Sequence, residues 1–273
     1  MTSISAAHAH GFAATQRLDR WWIQPLFTVL ALSAFVVYST WAAFQGVHYS
    51  FGPYLSPFYS PELFHPAGLE HAPHAWFGEL PAAWPSWLPY SPALLILWAP
   101  GGFRFTCYYY RKAYYRSFVR HPAACAVSES GSHAYKGETR LLLIQNLHRF
   151  FMYLALAFLI FLWHDVWKAL WFDDDNGGTQ FGIGAGTLVL LINTTFLTGY
   201  VLSCHSFRHL VGGGLSCFSE CPMGRTRHSA WKSVTALNAH HQGWAWLSLF
   251  GVGFADAYVR LCSMGIWTDM RLL

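Results

Sequence analysis

Five long apolar stretches constrain the fold of this chain more than any other feature. They run over residues 21–47, 92–110, 140–171, 181–211 and 234–262. A helix needs about 20 apolar residues to cross the hydrocarbon core of a bilayer. The second stretch is the weakest, because Pro100-Gly101-Gly102 predicts a kink and Arg104 needs a polar partner inside the membrane. The pattern predicts an all-α integral membrane protein, a bundle of five transmembrane helices forming one membrane-anchor domain over residues 1–273.

The composition agrees with a membrane location. Apolar residues make up 54% of the chain and charged residues 11%, whereas soluble domains carry about 25% charged residues. Too few charges remain to cover a water-facing surface. The aromatic content of 18% is typical of proteins whose rings gather at membrane interfaces. The sequence has no nucleotide-binding glycine motif, and we expect no nucleic-acid partner.

The distribution of lysine and arginine predicts the orientation. Twelve of these cations fall on one side of the predicted bundle: Arg17, Arg20, Arg111, Lys112, Arg116, Arg120, Lys136, Arg140, Arg208, Arg225, Arg227 and Lys232. Segment 48–90 has no lysine or arginine and is predicted to lie on the outer interface. Because cytoplasmic loops are rich in cations, we expect a cytoplasmic N-terminus, an outer C-terminus and cytoplasmic loops over 111–139 and 212–233. The membrane is then the inner (plasma) membrane of the cell.

Cysteines and histidines concentrate where the fourth and fifth stretches reach the cytoplasmic side. Thiolate and imidazole together select zinc, copper or iron–sulfur centres, and two of each fit structural zinc or a Rieske-type [2Fe–2S] cluster. The sequence lacks the Cys-x-His and Cys-x-x-His pattern of soluble Rieske proteins, so the match rests on ligand type and expected convergence. The predicted metal ligands are Cys204, His209, Cys217, Cys221 and His240, with His205, His241 and His148 as alternates.

Two other interpretations of these residues stay open. His148 or His205 against His240 could ligate one haem b, although the first two stretches lack the histidines that a two-haem stack needs. Without any metal, the same side chains would line a polar quinone pocket.

Polar residues on the outer side are predicted to be structural. The histidines of segment 48–90 are typical of polar residues in an interfacial loop; they are His48, His65, His71 and His74. Within the apolar stretches, Asp256 and the pair His164-Asp165 could form a proton route. We favour the alternative that they pair with one another and with Arg260.

Three short motifs carry a resemblance to a known family. They are Asn146-Leu147-His148-Arg149-Phe150, Cys204-His205-Ser206-Phe207-Arg208-His209 and Asn238-Ala239-His240-His241. Together with five spans and a basic inner face, they make the chain similar to the membrane anchor subunit of succinate dehydrogenase/fumarate reductase (respiratory complex II). It looks closest to the five-helix, cytochrome-b-like anchor of the actinobacterial, mycobacterial type.

The resemblance implies a function that the residues alone do not. In that family a flavoprotein subunit oxidises succinate, an iron–sulfur subunit carries the electrons, and the anchor docks both and binds quinone. It implies quinone contacts at His148, Arg149 and Trp244, with menaquinone or ubiquinone as substrate, and no activity of the chain alone. Membrane lipid and an oligomer of the complex are further expected partners. The rival predictions are an anchor with haem b or no cofactor, and a transporter.

Overall fold

The computed structural model describes residues 14–66, 74–85, 87, 90–120, 123–128, 145–174 and 177–273. The helices, in chain order, are α1 (Ile23–Gln45), α2 (Pro92–Ile96), α3 (Trp98–Thr106), α4 (Tyr108–Tyr114), α5 (His148–Lys168), α6 (Ala185–Leu202), α7 (His205–Arg208), α8 (Gly224–Ala239) and α9 (His241–Ser263). Two π-helical turns, Tyr115–Val119 and His209–Gly213, continue α4 and α7.

Three of the helices in the described residues are long and apolar enough to cross a membrane: α1, α5 and α6. The α9 helix has 23 residues, which at 1.5 Å per residue is also enough to span the core, but it carries Asp256 and Arg260. These helices confirm the predicted all-α membrane class. Residues 141–144, in the predicted third span, lie outside the described residues.

The other predicted spans are interrupted helices. The stretch 92–110 is broken at Leu97 and at Cys107, and Pro100 lies in the first turn of α3, just after the first break. The fourth stretch breaks after Leu202, and the fifth is interrupted at His240 between α8 and α9. His240 is therefore at a helix junction, not two turns into a helix as the sequence suggested.

The two ends of the bundle differ in charge. We call the end formed by residues 14–20, 104–120, 123–128, 145–149 and 203–244 the basic end, and the end formed by residues 46–66, 74–85, 165–174, 177–184 and 256–273 the acidic end. At the acidic end, two antiparallel hairpins pair Ser50–Phe51 with Tyr54–Leu55 and Trp171–Asp173 with Thr179–Phe181.

Residues 54–62 of the outer segment are buried and cap the bundle, which extends the prediction that segment 48–90 lies on the outer interface. Tyr54 and Tyr59 are fully buried, and Leu55 and Phe58 nearly so, because they pack against α1 and α9 and fill the outer core. Two of the four histidines predicted to be interfacial, His65 and His74, are buried as well. His71 lies outside the described residues.

The basic half of the core positions the site. Phe103, Met152, Tyr200 and Leu249, from four different helices, form one buried cluster. The closest helix packing is that of α9 on α6. This cluster holds the ends of α3, α5, α6 and α9 around a shared cleft at the basic end.

Candidate functional site

Five soft donors line one cleft of about 510 Å³ at the basic end, four that contact one another and the exposed His205. Cys107 separates α3 from α4, and Cys204 separates α6 from α7. His148 is the first residue of α5, and His241 is the first residue of α9. We call these four residues the Cys–His quartet. Every member lies at a helix end or break, so four separate backbone segments deliver one side chain each to the cleft.

Within the quartet, each imidazole contacts one thiol. His148 Nε2 lies 3.0 Å from Cys204 Sγ, and His241 Nε2 lies 3.4 Å from Cys107 Sγ. The two imidazoles also interact electrostatically with each other, as do the two thiols. Both cysteines are almost completely buried. Among the described residues, no three His, Cys, Asp or Glu side chains are placed to enclose a single metal ion. The quartet is accordingly two thiol–imidazole pairs, not one cage.

The backbone fixes the position of both thiols. Cys107 has ψ 130° and Cys204 has ψ 140°, which are extended values that end one helix before the next begins. In the membrane, a break of this kind is tolerated where the backbone is buried in protein or lines a cavity. A hydroxyl residue precedes each cysteine, Thr106 in one case and Ser203 in the other.

These two hydroxyl groups hold the imidazoles. Thr106 Oγ1 lies 2.9 Å from His148 Nδ1, and Ser203 Oγ lies 2.7 Å from His241 Nδ1. The ring of His148 stacks on Phe103, with centroids 4.7 Å apart. The ring of His241 stacks in the same way on Tyr200. A hydrogen bond to the far nitrogen fixes the orientation of a ligating histidine, so both Nε2 atoms are held toward the thiols.

The structure does not bring the predicted metal ligands together. The predicted set is Cys204, His209, Cys217, Cys221 and His240, and only Cys204 belongs to the quartet. Cys217 Sγ lies 2.9 Å from Ser219 Oγ at the surface, and this contact lowers the pKa of the Cys217 thiol. Cys221 Sγ donates to a backbone carbonyl, and His209 and His240 are exposed.

Sequence reasoning missed Cys107 altogether and kept His241 only as an alternate. Cys107 lies inside a predicted span, far from the cysteine-rich segment that drew attention. A hydroxyl residue precedes cysteine at Thr106-Cys107 and Ser203-Cys204, but also at Ser216-Cys217 outside the quartet, so this pattern does not identify the site.

The three predicted quinone contacts lie in different surroundings. His148 is buried in the quartet, and Arg149 is exposed. Trp244 packs across Gly199, where an added Cβ would come within 2.5 Å of the indole ring.

Arg104 is a cation inside the bundle with neutral hydrogen-bond partners. It donates to Tyr110 Oη at 2.7 Å and to Ser248 Oγ at 3.1 Å, and its guanidinium lies 4.8 Å from the ring centroid of Tyr200. The same side chain lines two apolar cavities, of about 160 Å³ and about 610 Å³. Arg104 therefore presents positive charge to apolar space that faces the lipid.

Asp256 pairs with Arg260 at the acidic end, as the sequence predicted. The buried carboxylate of Asp256 accepts hydrogen bonds from Tyr38 Oη and Ser56 Oγ. It also lies 3.4 Å from Arg260 Nε. Asp165, in contrast, contacts Ser60 and His164 and does not reach Arg260.

The chain was then compared with known proteins. The family model for the actinobacterial succinate dehydrogenase subunit SdhC matches residues 23–265. The chain belongs to this family. A chain of the solved Mycobacterium smegmatis Sdh1 complex in the apo form is 39% identical to it, with a TM-score of 0.80, and the match covers 95% of this chain and 94% of that one. None of the curated proteins matches it.

Membership of the SdhC family confirms the predicted succinate dehydrogenase anchor. The chain is a membrane subunit of an oxidoreductase complex, and its apolar helices place it in the inner membrane. The quartet and Arg104 are therefore polar features of a respiratory membrane subunit.

Proposed function

We propose that this anchor passes electrons from succinate dehydrogenase to quinone, and that the Cys–His quartet holds a Rieske-type [2Fe–2S] cluster on that route. The observation that carries the proposal is the meeting of two thiols and two imidazoles from four helix ends in one cleft. When bound, such a cluster accepts and releases one electron at a time, at a potential that histidine ligation raises.

The composition of the quartet matches a Rieske-type cluster, which takes two thiolates on one iron and two imidazoles on the other. The structure pairs each thiol with an imidazole, and no three donors among the described residues enclose a single ion. Binding of the cluster would therefore replace these contacts and bring the two thiols to one iron and the two imidazoles to the other. Haem b is the alternative cofactor: it would use only the two imidazoles, His148 and His241, and would leave both thiols of the quartet without a metal.

Arg104 marks the quinone site in this proposal. Its guanidinium faces the apolar cavities that would take a quinone ring. Phe103 and Tyr200 line the smaller of these cavities and stack on the two quartet histidines. Arg104 would donate a hydrogen bond to a quinone oxygen and stabilise the negative charge that develops there on reduction. This moves the quinone site away from Arg149 and Trp244.

The basic end would face the cytoplasm and the soluble subunits. The chain would cross the membrane five times, with α2 to α4 as the second crossing and α9 as the fifth. The α8 helix projects at this end and is mostly exposed, with Arg225, Arg227 and Lys232 along it. We propose that this surface docks the iron–sulfur subunit, which in turn carries the flavoprotein that oxidises succinate.

The experiment is a pair of cysteine substitutions in the whole purified complex. Cys107→Ser should remove the paramagnetic resonance signal of a Rieske-type centre and abolish quinone reduction, because one of four ligands is lost. Succinate oxidation by a soluble artificial acceptor should stay near wild type. Cys217→Ser is the matched control, because this thiol lies outside the quartet, and it should change neither readout.

Two results would contradict the proposal. Sharp haem bands in the reduced optical spectrum would favour the haem b anchor. An unchanged quinone reductase activity in Cys107→Ser would exclude the quartet from the electron route.

A further inference from the structure

A second cavity at the basic end, of about 680 Å³, lies between the N-terminal segment 14–20, the first turns of α1 and the α4 helix. Tyr109 and Gln242 form its inner wall, and segment 123–125 closes one side. We call it the basic cavity. Neither electron transfer nor quinone binding in the proposed function uses it.

Positive charge dominates the lining of the basic cavity. Lys112 and Arg116 are one helical turn apart and face it together, and Arg20 joins them from the opposite wall. Asp19 is the one carboxylate among the described residues that line the cavity, and it is held in an ion pair by Arg17. Three cations therefore remain for a ligand.

Apolar surface adjoins these cations. Ile23 and Phe27 line the cavity from the first turns of α1 and are 45% and 53% exposed, as expected for residues that face lipid. Trp21, at the start of the apolar stretch, also lines it, and tryptophan favours the depth of the lipid headgroups. The cavity thus combines cations at headgroup depth with an open apolar side.

Hydrogen bonds hold the outer wall in place. Thr15 Oγ1 donates to the carbonyl of Ala126 at 2.7 Å, and Arg17 Nη1 donates to the carbonyl of Cys125 at 2.8 Å. These contacts tie the N-terminal segment to the loop that follows the π-helical turn. The space between the cations is therefore formed by the fold itself.

We propose that the basic cavity binds the headgroup of an anionic phospholipid. Its phosphate would lie between Arg20, Lys112 and Arg116, and its acyl chains would run along Ile23 and Phe27. Basic pockets at the cytoplasmic side of membrane proteins bind anionic headgroups in this way. A free inorganic phosphate shares the headgroup chemistry but gains nothing from the apolar side.

The test compares lipid retention in two double variants of the whole complex. Native mass spectrometry would count the phosphatidylglycerol or diphosphatidylglycerol molecules bound after purification in a neutral detergent. Lys112→Gln with Arg116→Gln should lower the affinity about thirtyfold, since each basic residue near the surface is worth roughly fivefold. Arg149→Gln with Lys168→Gln, at two positions outside the basic cavity and outside the proposed docking surface, removes equal charge elsewhere and should retain the lipid.

A second measurement separates the sources of the anion. The thermal midpoint of the delipidated complex should rise with phosphatidylglycerol in neutral carrier lipid and stay unchanged with inorganic phosphate. An equal rise of the thermal midpoint with inorganic phosphate would contradict a lipid site and would indicate a site for simple anions. Should the double variant not assemble, Arg20→Gln provides the same comparison with one charge removed.

Two outcomes would end the proposal. One is equal lipid retention by the wild type and the Lys112/Arg116 variant. The other is a wild-type complex without such a lipid, together with a Lys112/Arg116 variant that loses its soluble subunits. This result would indicate that an acidic segment of a partner subunit occupies the basic cavity.

Discussion

The two ends of this membrane subunit differ in the partners of their buried polar groups. At the acidic end, Arg260 lies against Asp256, and the carboxylate accepts two further hydrogen bonds from hydroxyl groups. At the basic end, Arg104 has hydroxyl, carbonyl and ring partners but no carboxylate, and each quartet thiol lies against an imidazole. A closed ion pair holds segments together, whereas soft donors and a cation beside open cavities are available to a ligand. The comparison assigns stability to the acidic end, and the proposed function assigns electron transfer to the basic end.

The largest effect is expected from a substitution that removes the buried ion pair at the acidic end. Asp256→Asn leaves Arg260 buried without a counter-charge, and the loss of one partner of a buried ion pair costs about 3–5 kcal/mol. We expect a large fall in the thermal midpoint and yield of the complex, with quinone reduction per assembled complex near wild type.

The matched control for this variant is Asp173→Asn, at an exposed position in the second hairpin. Surface substitutions change stability by less than about 0.5 kcal/mol. An assembled Asp256→Asn complex with normal stability and no quinone reduction would reverse the assignment of the two ends.

The next largest effect is expected at Arg104, the arginine inside the bundle near the basic end. Arg104→Gln should lower kcat/KM for quinone about 10- to 100-fold, because a hydrogen bond to a charged group is worth about 1.5–3 kcal/mol. Steady-state kinetics with a soluble quinone would measure it. Arg149→Gln, at the exposed position that the sequence favoured, should leave the kinetics unchanged. A larger loss of kcat/KM in Arg149→Gln than in Arg104→Gln would instead place the quinone site at Arg149.

The smallest effect is a pH dependence at the acidic end. Burial, with Lys168 and His164 nearby, lowers the pKa of His74 from 6.5 to about 4. The unfolded chain takes up this proton below about pH 6.5 while the folded chain does not. The contribution of His74 is therefore complete above pH 6.5 and is lost as the pH falls toward 4. Burial raises the pKa of Glu62, which acts in the opposite direction.

The contribution of His74 is measured as a difference between variants. Thermal midpoints of wild type and His74→Asn should diverge at pH 7.5 and converge near pH 4, which removes the effect of Glu62. His48→Asn, at an exposed position, should parallel wild type throughout. Parallel curves for His74→Asn would show that this histidine is not excluded from water.

Hydropathy predicted the membrane class and the long helices, because lipid demands continuous apolar surface. It could not predict the breaks at Leu97, Cys107 and His240. None of these residues is a helix breaker by intrinsic preference, and tertiary packing decides where each helix stops. The sequence predicted soft donors at the basic end, but which of them meet in one cleft depends on those breaks. A sequence window over residues 204–241 could not include Cys107.

The sequence also could not predict how deeply the cap at the acidic end is buried. Segment 48–66 has the aromatic and proline content of an interfacial loop. Its insertion depends on partners far along the chain, such as Asp256 for Ser56 and Asp165 for Ser60. Such long-range pairs leave no local pattern.

The helix breaks at Cys107 and Cys204 have a consequence for biogenesis. The main chain, and not a choice of rotamer, sets where each sulfur lies. If the quartet holds the proposed cluster, its ligand positions would be set when the polypeptide folds in the bilayer, and insertion of the metal would be a separate, later step.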